Sequence, residues 1–318
     1  LNMSKFKKIL PLILLTLFIS IIFYYYKKNE SDFIAIQQLD QILLFQILFL
    51  CFLYLLTEGL ILKNIVTFLG KNIYLFQSFL IMNATYFCNT FIQFSGLGYR
   101  VYYLKKFKNL KISEILRYSI DTIVCELFIF SLIGLVSILF IDLYSEEIKI
   151  SNFLYIVFTV FFLSSLIYLS LAAPIILIIK SFLNKLNISL FDKIFQIFLI
   201  KKENYFSFCK KQFLIFATQY IILFFIFFLV LKKINIENYT YLSLLITSLV
   251  DFSFLIALTP YSVGISEFFT FMGTRDIPLS FAEIIILINI FRICMLSIYF
   301  ICGPIFILIN LRKKKYGM

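Results

Sequence analysis

The chain has 318 residues, 62% of them hydrophobic and 14% charged, with a mean hydropathy of +0.99 and a formal charge of +12. Soluble domains run nearer about 45 to 50% apolar and about 25% charged, so this composition excludes a soluble globular domain and demands an integral membrane protein. Histidine is absent, which removes imidazole metal ligation, histidine proton shuttling and Ser/His/Asp triads. Chemistry is left to carboxylates, Lys, Arg, Tyr and Ser/Thr.

Within these residues the longest stretch without an extended apolar run is the basic segment 180–212, too short for a soluble catalytic domain of normal size. The six cysteines (Cys51, Cys88, Cys125, Cys209, Cys294, Cys302) form no CxxC pair and read as small hydrophobes, so neither disulfides, a metal nor a cofactor is expected. The basic residues lie beside apolar runs and not on a soluble module. They are therefore assigned to cytoplasmic loops, and no nucleic-acid partner is expected.

In chain order, Lys5, Lys7 and Lys8 precede an apolar run over 9–26 that resembles a signal peptide. It lacks a small-residue cleavage site and leads into Tyr24, Tyr25 and Tyr26, which predicts an uncleaved first span. Five further stretches supply the roughly 20 apolar residues a membrane helix needs: 42–62, 118–142, 153–179, 213–231 and 281–310. Two more are ambiguous. Residues 72–94 carry Asn83, Asn89 and Gln93, residues 241–259 carry Ser243, Thr247 and Asp251, and each runs into a polar, turn-like sequence followed by a short apolar piece.

Charge decides between crossing and re-entering. If all eight stretches cross, thirteen basic residues in 100–117 and 180–211 fall outside. If the two ambiguous stretches are hairpins, 22 of the 29 Lys and Arg are cytoplasmic, and the six external ones are offset by seven external acids. The second arrangement obeys the positive-inside rule. It predicts an all-α polytopic membrane protein with six full transmembrane helices, two re-entrant helical hairpins and both termini cytoplasmic. The single membrane domain then divides into halves of opposite direction, 1–143 and 152–318, the inverted-topology repeat of many secondary transporters.

The hairpin tips carry the repeat at residue level. Phe94-Ser95-Gly96-Leu97-Gly98-Tyr99-Arg100 aligns without gaps on Tyr261-Ser262-Val263-Gly264-Ile265-Ser266-Glu267, matching aromatic, Ser and an ionisable residue five positions after the Ser, with opposite charge. A half-helix starting near Gly98, with Arg100 in its first turn, is a candidate seat for a lipid phosphate. The bland alternative is a Gly-rich helix end whose Arg snorkels to the interface.

Intramembrane ionisable residues are Glu58, Asp121, Glu126, Asp142, Asp251, Glu267, Glu283 and Arg292, with Asp142 and Glu283 near span ends. A charge at a helix centre costs about 2.5 to 3.5 kcal/mol on insertion scales, so central ones need a partner or a cavity. Ser243, Thr247 and Asp251 share a helix face, as do Thr122 with Glu126 and Tyr54 with Glu58. Arg292 either pairs with Asp251 or Glu267 to hold helices in register, or lines a polar path with them. Seven acids against one Arg leave some carboxyls to protons or a cationic ligand.

The sequence Tyr86-Phe87-Cys88-Asn89, with the first tip and Tyr103-Leu104-Lys105, resembles the Asn, Gly-rich, Arg, aromatic/Leu signature of the flippase-like transmembrane region of lysylphosphatidylglycerol synthases. Thr259-Pro260 with the second tip, then Gly273, Ile277-Pro278 and Arg292, resembles that family's second signature. The resemblance covers nearly the whole chain. It implies a multi-pass bacterial or archaeal membrane protein that moves lipids, including aminoacylated phosphatidylglycerol, between leaflets, and the bacterial cytoplasmic membrane is the expected location. The second block has one Gly, Gly264, where the family has several, and no aminoacyl-transferase domain follows, so this chain is not expected to make lysyl-lipid.

The expected function is a lipid translocase, not an enzyme, with membrane lipids as partners and the oligomeric state left open. Its expected substrate contacts are Asn89, Ser95, Gly96, Gly98 and Arg100 at the first tip and Ser262, Gly264 and Glu267 at the second, with Asp251 and Arg292. Glu58, Glu126, Asp251 and Glu267 are the candidate ion or proton path. The alternatives are a membrane-embedded enzyme acting on a lipid-linked substrate with Asp251 or Glu267 as base, and a small-solute secondary transporter.

Overall fold

In lipid every backbone polar group must be satisfied within the protein, and long apolar runs do so as helices. The computed structural model, described over residues 40–91, 94–144, 152–185, 204–236, 238–256, 265–274 and 279–316, is built of helices: α1 Gln41–Phe68, α2 Leu75–Phe91, α3 Ser95–Lys108, α4 Ile112–Tyr144, α5 Asn152–Lys185, α6 Tyr205–Lys233, α7 Tyr239–Ile256, α8 Ile265–Gly273 and α9 Phe281–Tyr316. Five of these contain segments long and apolar enough to cross a bilayer: Gln41–Phe68, Ile112–Leu143, Asn152–Ser170, Tyr205–Lys233 and Phe281–Asn310. They coincide with five of the six predicted spans. The sixth, 9–26, lies outside the described residues. The protein is thus an all-α polytopic membrane protein.

The two ambiguous stretches become helix pairs. α2 has 17 residues, roughly 26 Å at the α-helical rise, and folds back against the 14-residue α3. The 18-residue α7 packs against the nine-residue α8. α3 stops at Asn109, which takes a left-handed conformation with φ 52°, and its last turn holds Lys105, Lys106 and Lys108, where positive charge complements the helix dipole. At the start of α9, Ser280 and Glu283 form a capping box: each backbone N–H donates to the other's side chain, at 2.7 and 3.2 Å.

Packing follows a regular scheme. α1 lies against α6, α2 against α1 and α9, and α7 against α6 and α4; α3 touches α4, α8 touches α9, α4 touches α6, and α9 touches α1. Close approach of α1 and α2 needs Gly59, where a Cβ would lie 3.0 Å from the Phe79 backbone. The apolar interior divides into two clusters, one around Leu43–Leu55 of α1 and Leu223–Leu231 of α6, the other around Ile61–Leu69 and Phe208–Tyr220. Between them, α1 places Glu58 and α6 places Gln219, so a polar layer separates two apolar cores.

Arg117 corrects the sequence reading. Read there as a loop cation, it lies inside α4, 4% exposed, with its Nε 3.2 Å from Asp121 one turn on. It donates to the Tyr168 hydroxyl at 3.1 Å, and that hydroxyl donates to Asp121 at 3.0 Å, tying α4 to α5. An i,i+4 acid keeps the guanidinium tolerable below the surface and lets the helix start earlier.

Candidate functional site

A cavity of about 150 Å³ opens between α1, α2, α3, α4 and α6, lined by Glu58, Ile61, Ile65, Met82, Tyr86, Arg100, Ser119, Thr122, Ile123, Glu126 and Phe216. That is room for several waters or one headgroup phosphate. Three of its walls are ionisable, and each is delivered by a different element. Glu58 projects from α1, where Tyr54 sits one turn before it, and its Oε1 accepts from Gln219 Nε2 at 2.7 Å. Glu126 shares a face of α4 with Thr122 and makes no hydrogen bond among the described residues. Arg100 arrives from α3.

Arg100 has two weak partners on its own side of the cavity, Ser119 Oγ at 3.4 Å and Met82 Sδ at 3.7 Å, and its buried Nε has no acceptor. No carboxylate lies within ion-pair distance of it among the described residues, although the charge of Glu58 reaches it across the cavity. A planar guanidinium with unspent donors in a small buried space is suited to bind an oxyanion bidentately. The phenol of Tyr86 approaches Glu58 and stacks on Tyr299 of α9 at 5.1 Å.

The first hairpin tip is built differently from the expected phosphate seat. α3 begins at Ser95 and not near Gly98, and its Gly96 amide is already capped by Asn89 Oδ1 at 2.7 Å, while Ser95 Oγ donates to the Cys88 carbonyl at 2.7 Å. Any Cβ at Gly96 would fall on the Thr85 carbonyl and 2.7 Å from Asn89 Oδ1. Asn89, Ser95 and Gly96 therefore hold the hairpin closed and do not line the cavity, and Gly98 is exposed beside open space. Phe94 at the turn adopts a left-handed conformation, φ 64°, which is strained for a bulky side chain. The tip positions Arg100 more than one turn into α3, where it points at the interior.

At the second hairpin, Ser262 and Gly264 lie outside the described residues. Glu267, 0% exposed in the first turn of α8, makes a two-pronged ion pair with Arg292 of α9: Arg292 Nη1 to Oε1, and Nη2 to Oε2 at 3.2 Å. Arg292 Nη2 also donates to the Ser266 hydroxyl. Of the two acids weighed for Arg292, this is the one in contact. Glu267 does not line the cavity that holds Arg100. Asp251, 2% exposed, has neither hydrogen bond nor ion pair among the described residues, and its carboxyl lies within electrostatic range of Glu58 and Glu126. The structure thus gathers Arg100, Glu58 and Glu126 at one cavity with Asp251 nearby, and closes Glu267 and Arg292 on each other.

Two residues that sequence reasoning missed stand behind the wall and bond to it. Gln212 and Gln219, both 0% exposed on α6, donate to Thr122 Oγ1 at 3.2 Å and to Glu58. Their spacing of seven puts both amides on one face of an otherwise apolar span, a signal present in the sequence. All six cysteines are free thiols, and four meet in pairs across helices, Cys51 with Cys294 and Cys125 with Cys209.

Long apolar helices around a small charged cavity define a polytopic membrane protein with an internal polar site. The chain belongs to the family of the lysylphosphatidylglycerol synthase transmembrane region, whose family model matches residues 8–303 and so takes in both hairpins and every cavity residue. Membership is consistent with a flippase-like membrane protein acting on lipids. No curated protein and no solved structure matches the chain.

Proposed function

We propose that this protein is a lipid translocase that carries a phospholipid or aminoacylated lipid between the leaflets of the bacterial cytoplasmic membrane, with Arg100 holding the lipid phosphate. The observation that carries the reading is the Arg100 guanidinium: it faces a five-helix cavity, keeps a buried Nε without acceptor, and has no carboxylate within ion-pair distance among the described residues. Glu58 and Glu126 on the opposite walls replace Glu267 as the acids that face the headgroup. The ion pair with Arg292 also removes Glu267 as a base for the enzymatic alternative.

The reading includes the inverted repeat of 1–143 and 152–318. Its support is that four packings in one half have counterparts in the other: α2 on α1 answers α7 on α6, α2 on α9 answers α7 on α4, α3 on α4 answers α8 on α9, and α4 on α6 answers α9 on α1, while α1 meets α6 across the axis; the packing of α4 on α5 has no counterpart among the described residues. Both hairpins then re-enter, and alternating access arises by rocking one half on the other.

The experiment is a leaflet-exchange assay with labelled phosphatidylglycerol in proteoliposomes. The full chain should exchange the label unchanged, and Arg100→Lys should slow exchange by about tenfold, because a point charge replaces a planar fork. A chemically modified lipid would favour the enzyme, and exchange equal to that of empty vesicles would end the translocase reading. Cysteines introduced at 105–111 and 185–202 should be labelled only from the cytoplasm; labelling from outside would dissolve the repeat.

A further inference from the structure

Hydrogen-bond accounting around the cavity is lopsided. Asp251 Oδ2, Gln212 Oε1, Gln219 Oε1 and Asn83 Oδ1 are buried acceptors without a donor, and Glu126 adds a carboxyl that no described residue bonds. These four acceptors lie behind the cavity lining and not on it, and among the lining residues the orphan donor is Arg100 Nε. Both glutamines spend their amide N–H groups on the cavity wall, on Glu58 and Thr122, and leave their carbonyl oxygens empty. Buried polar groups are normally paired, so a layer this short of donors takes up hydrogen from elsewhere.

The same layer holds three carboxyls from three helices, Glu58 on α1, Glu126 on α4 and Asp251 on α7, each within the field of the others. Three negative charges cannot share a low-dielectric interior with one guanidinium for company. A metal ion is a poor answer. Among the described residues no three Asp, Glu or Cys side chains are gathered closely enough to hold one, and α1, α4 and α6 keep their carbonyls in their own helical ladders. A proton needs only one lone pair. Among the described residues the remaining titratable groups facing the trio are the phenols Tyr54 on α1, Tyr86 on α2 and Tyr220 on α6 and the thiol of Cys125 on α4, which stay neutral at physiological pH, and the Glu267–Arg292 pair is closed on itself.

We propose that Glu58, Glu126 and Asp251 form a proton-binding site, and that a proton and an anionic lipid headgroup bind together and cross together. The inference rests on the translocase reading and adds to it what moves with the lipid. The coupling runs through Arg100. In the empty cavity the Arg100 guanidinium and the Glu58 carboxyl share one small polar space, and the field of a nearby cation opposes protonation of a carboxyl. A lipid phosphate seated on Arg100 cancels that field, and Glu58 takes up a proton from the aqueous phase. Departure of the phosphate restores the field and releases the proton. Linkage makes this reciprocal: lipid drives proton uptake, and protonation tightens lipid binding. One anionic headgroup plus one proton is neutral, so the exchange carries no net charge.

The test uses the full chain purified in detergent and weak buffer, with short-chain phosphatidylglycerol added and proton uptake followed by a pH indicator. The expected result is uptake approaching one proton per lipid bound, a ratio that falls toward zero in Glu58→Gln. In proteoliposomes, a gradient of one pH unit should bias the leaflet ratio of labelled phosphatidylglycerol by up to about tenfold toward the alkaline side, a protonophore should abolish the bias, and a potassium diffusion potential should leave it unchanged. Lipid that binds and exchanges with no proton uptake, or with proton release, overturns the coupling and leaves the translocase standing. Lipid that neither binds nor exchanges overturns both. Monodisperse elution of Glu58→Gln excludes misfolding as the cause of a lost ratio, and infrared spectra supply a second reading: the carboxylic C=O band expected at neutral pH should shrink in Glu126→Gln and Asp251→Asn, and its absence from the unsubstituted protein overturns the proposal.

Discussion

The two hairpins place an ionisable residue five positions after an equivalent Ser, and the protein treats the two charges in opposite ways. On α8, Glu267 meets Arg292 of α9 in a two-pronged buried ion pair reinforced by Ser266. On α3, Arg100 meets the corresponding helix, α4, at the neutral Ser119 and keeps donors in hand. Neutralised charge fixes a helix in place, whereas a charge answered by a hydroxyl and a cavity keeps donors to offer. One hairpin is therefore a strut and the other, on the proposed function, a receptor, and the difference was set by what the packing helix brings to the contact and not by the tip.

The strut can be broken most severely. Arg292→Leu strands the Glu267 carboxylate at 0% exposure and should destabilise the protein by about 3 to 5 kcal/mol, seen as a lower thermal midpoint in detergent. Adding Glu267→Leu should recover most of the loss, and adding Asp251→Leu should not. Next in size is the receptor's tip. Gly96→Ala drives a methyl onto the Thr85 carbonyl, an overpacking expected to cost about 1 to 3 kcal/mol, and it should slow lipid exchange by displacing Arg100. Asn89→Ala removes the cap on the Gly96 amide and should cost about 1 kcal/mol by the same thermal measurement.

The smallest effect is expected at Asp40, which caps α1 through the Leu43 amide at 2.7 Å and takes Lys233 from the end of α6 at 3.0 Å. Chiefly the Leu43 amide, and then Lys233, hold this exposed carboxyl below its usual value. A depressed carboxyl stabilises the fold above its unfolded value and loses that contribution as pH falls through the folded one. Asp40→Asn should therefore lower the midpoint slightly at neutral pH and not in acid, with the gap shrinking at high salt.

The five described spans were legible because about 20 consecutive apolar residues have few other readings, and the two helix pairs because Asn83, Asn89, Ser243, Thr247 and Asp251 interrupt runs otherwise long enough to cross. The choice of Arg292 partner was narrowed to two acids, and sequence spacing could go no further, since contact between α8 and α9 depends on how the second hairpin leans. Arg100 lies at an interior cavity and not at the open helix end that the sequence suggests. A Gly-rich turn reads as an open helix end, and nothing in the sequence says that Asn89 has already filled it. Its cavity neighbours Glu58, Ser119 and Glu126 come from other helices, so only folding brings them together.

The paired thiols carry a practical consequence for any attempt to watch this protein move. Cys51 with Cys294 joins α1 to α9, and Cys125 with Cys209 joins α4 to α6, the two junctions that a rocking motion of one half on the other would shear. A fully cysteine-free background would remove both of these interior contacts together and blur the motion it was made to report. All four sulfurs belong to buried residues, so maleimide reagents should pass them by. Replacing Cys88 and Cys302 alone would leave a nearly silent protein, and the native pairs would then serve as built-in crosslinking sites: an oxidant that captures them should arrest lipid exchange if the proposed halves rock on each other.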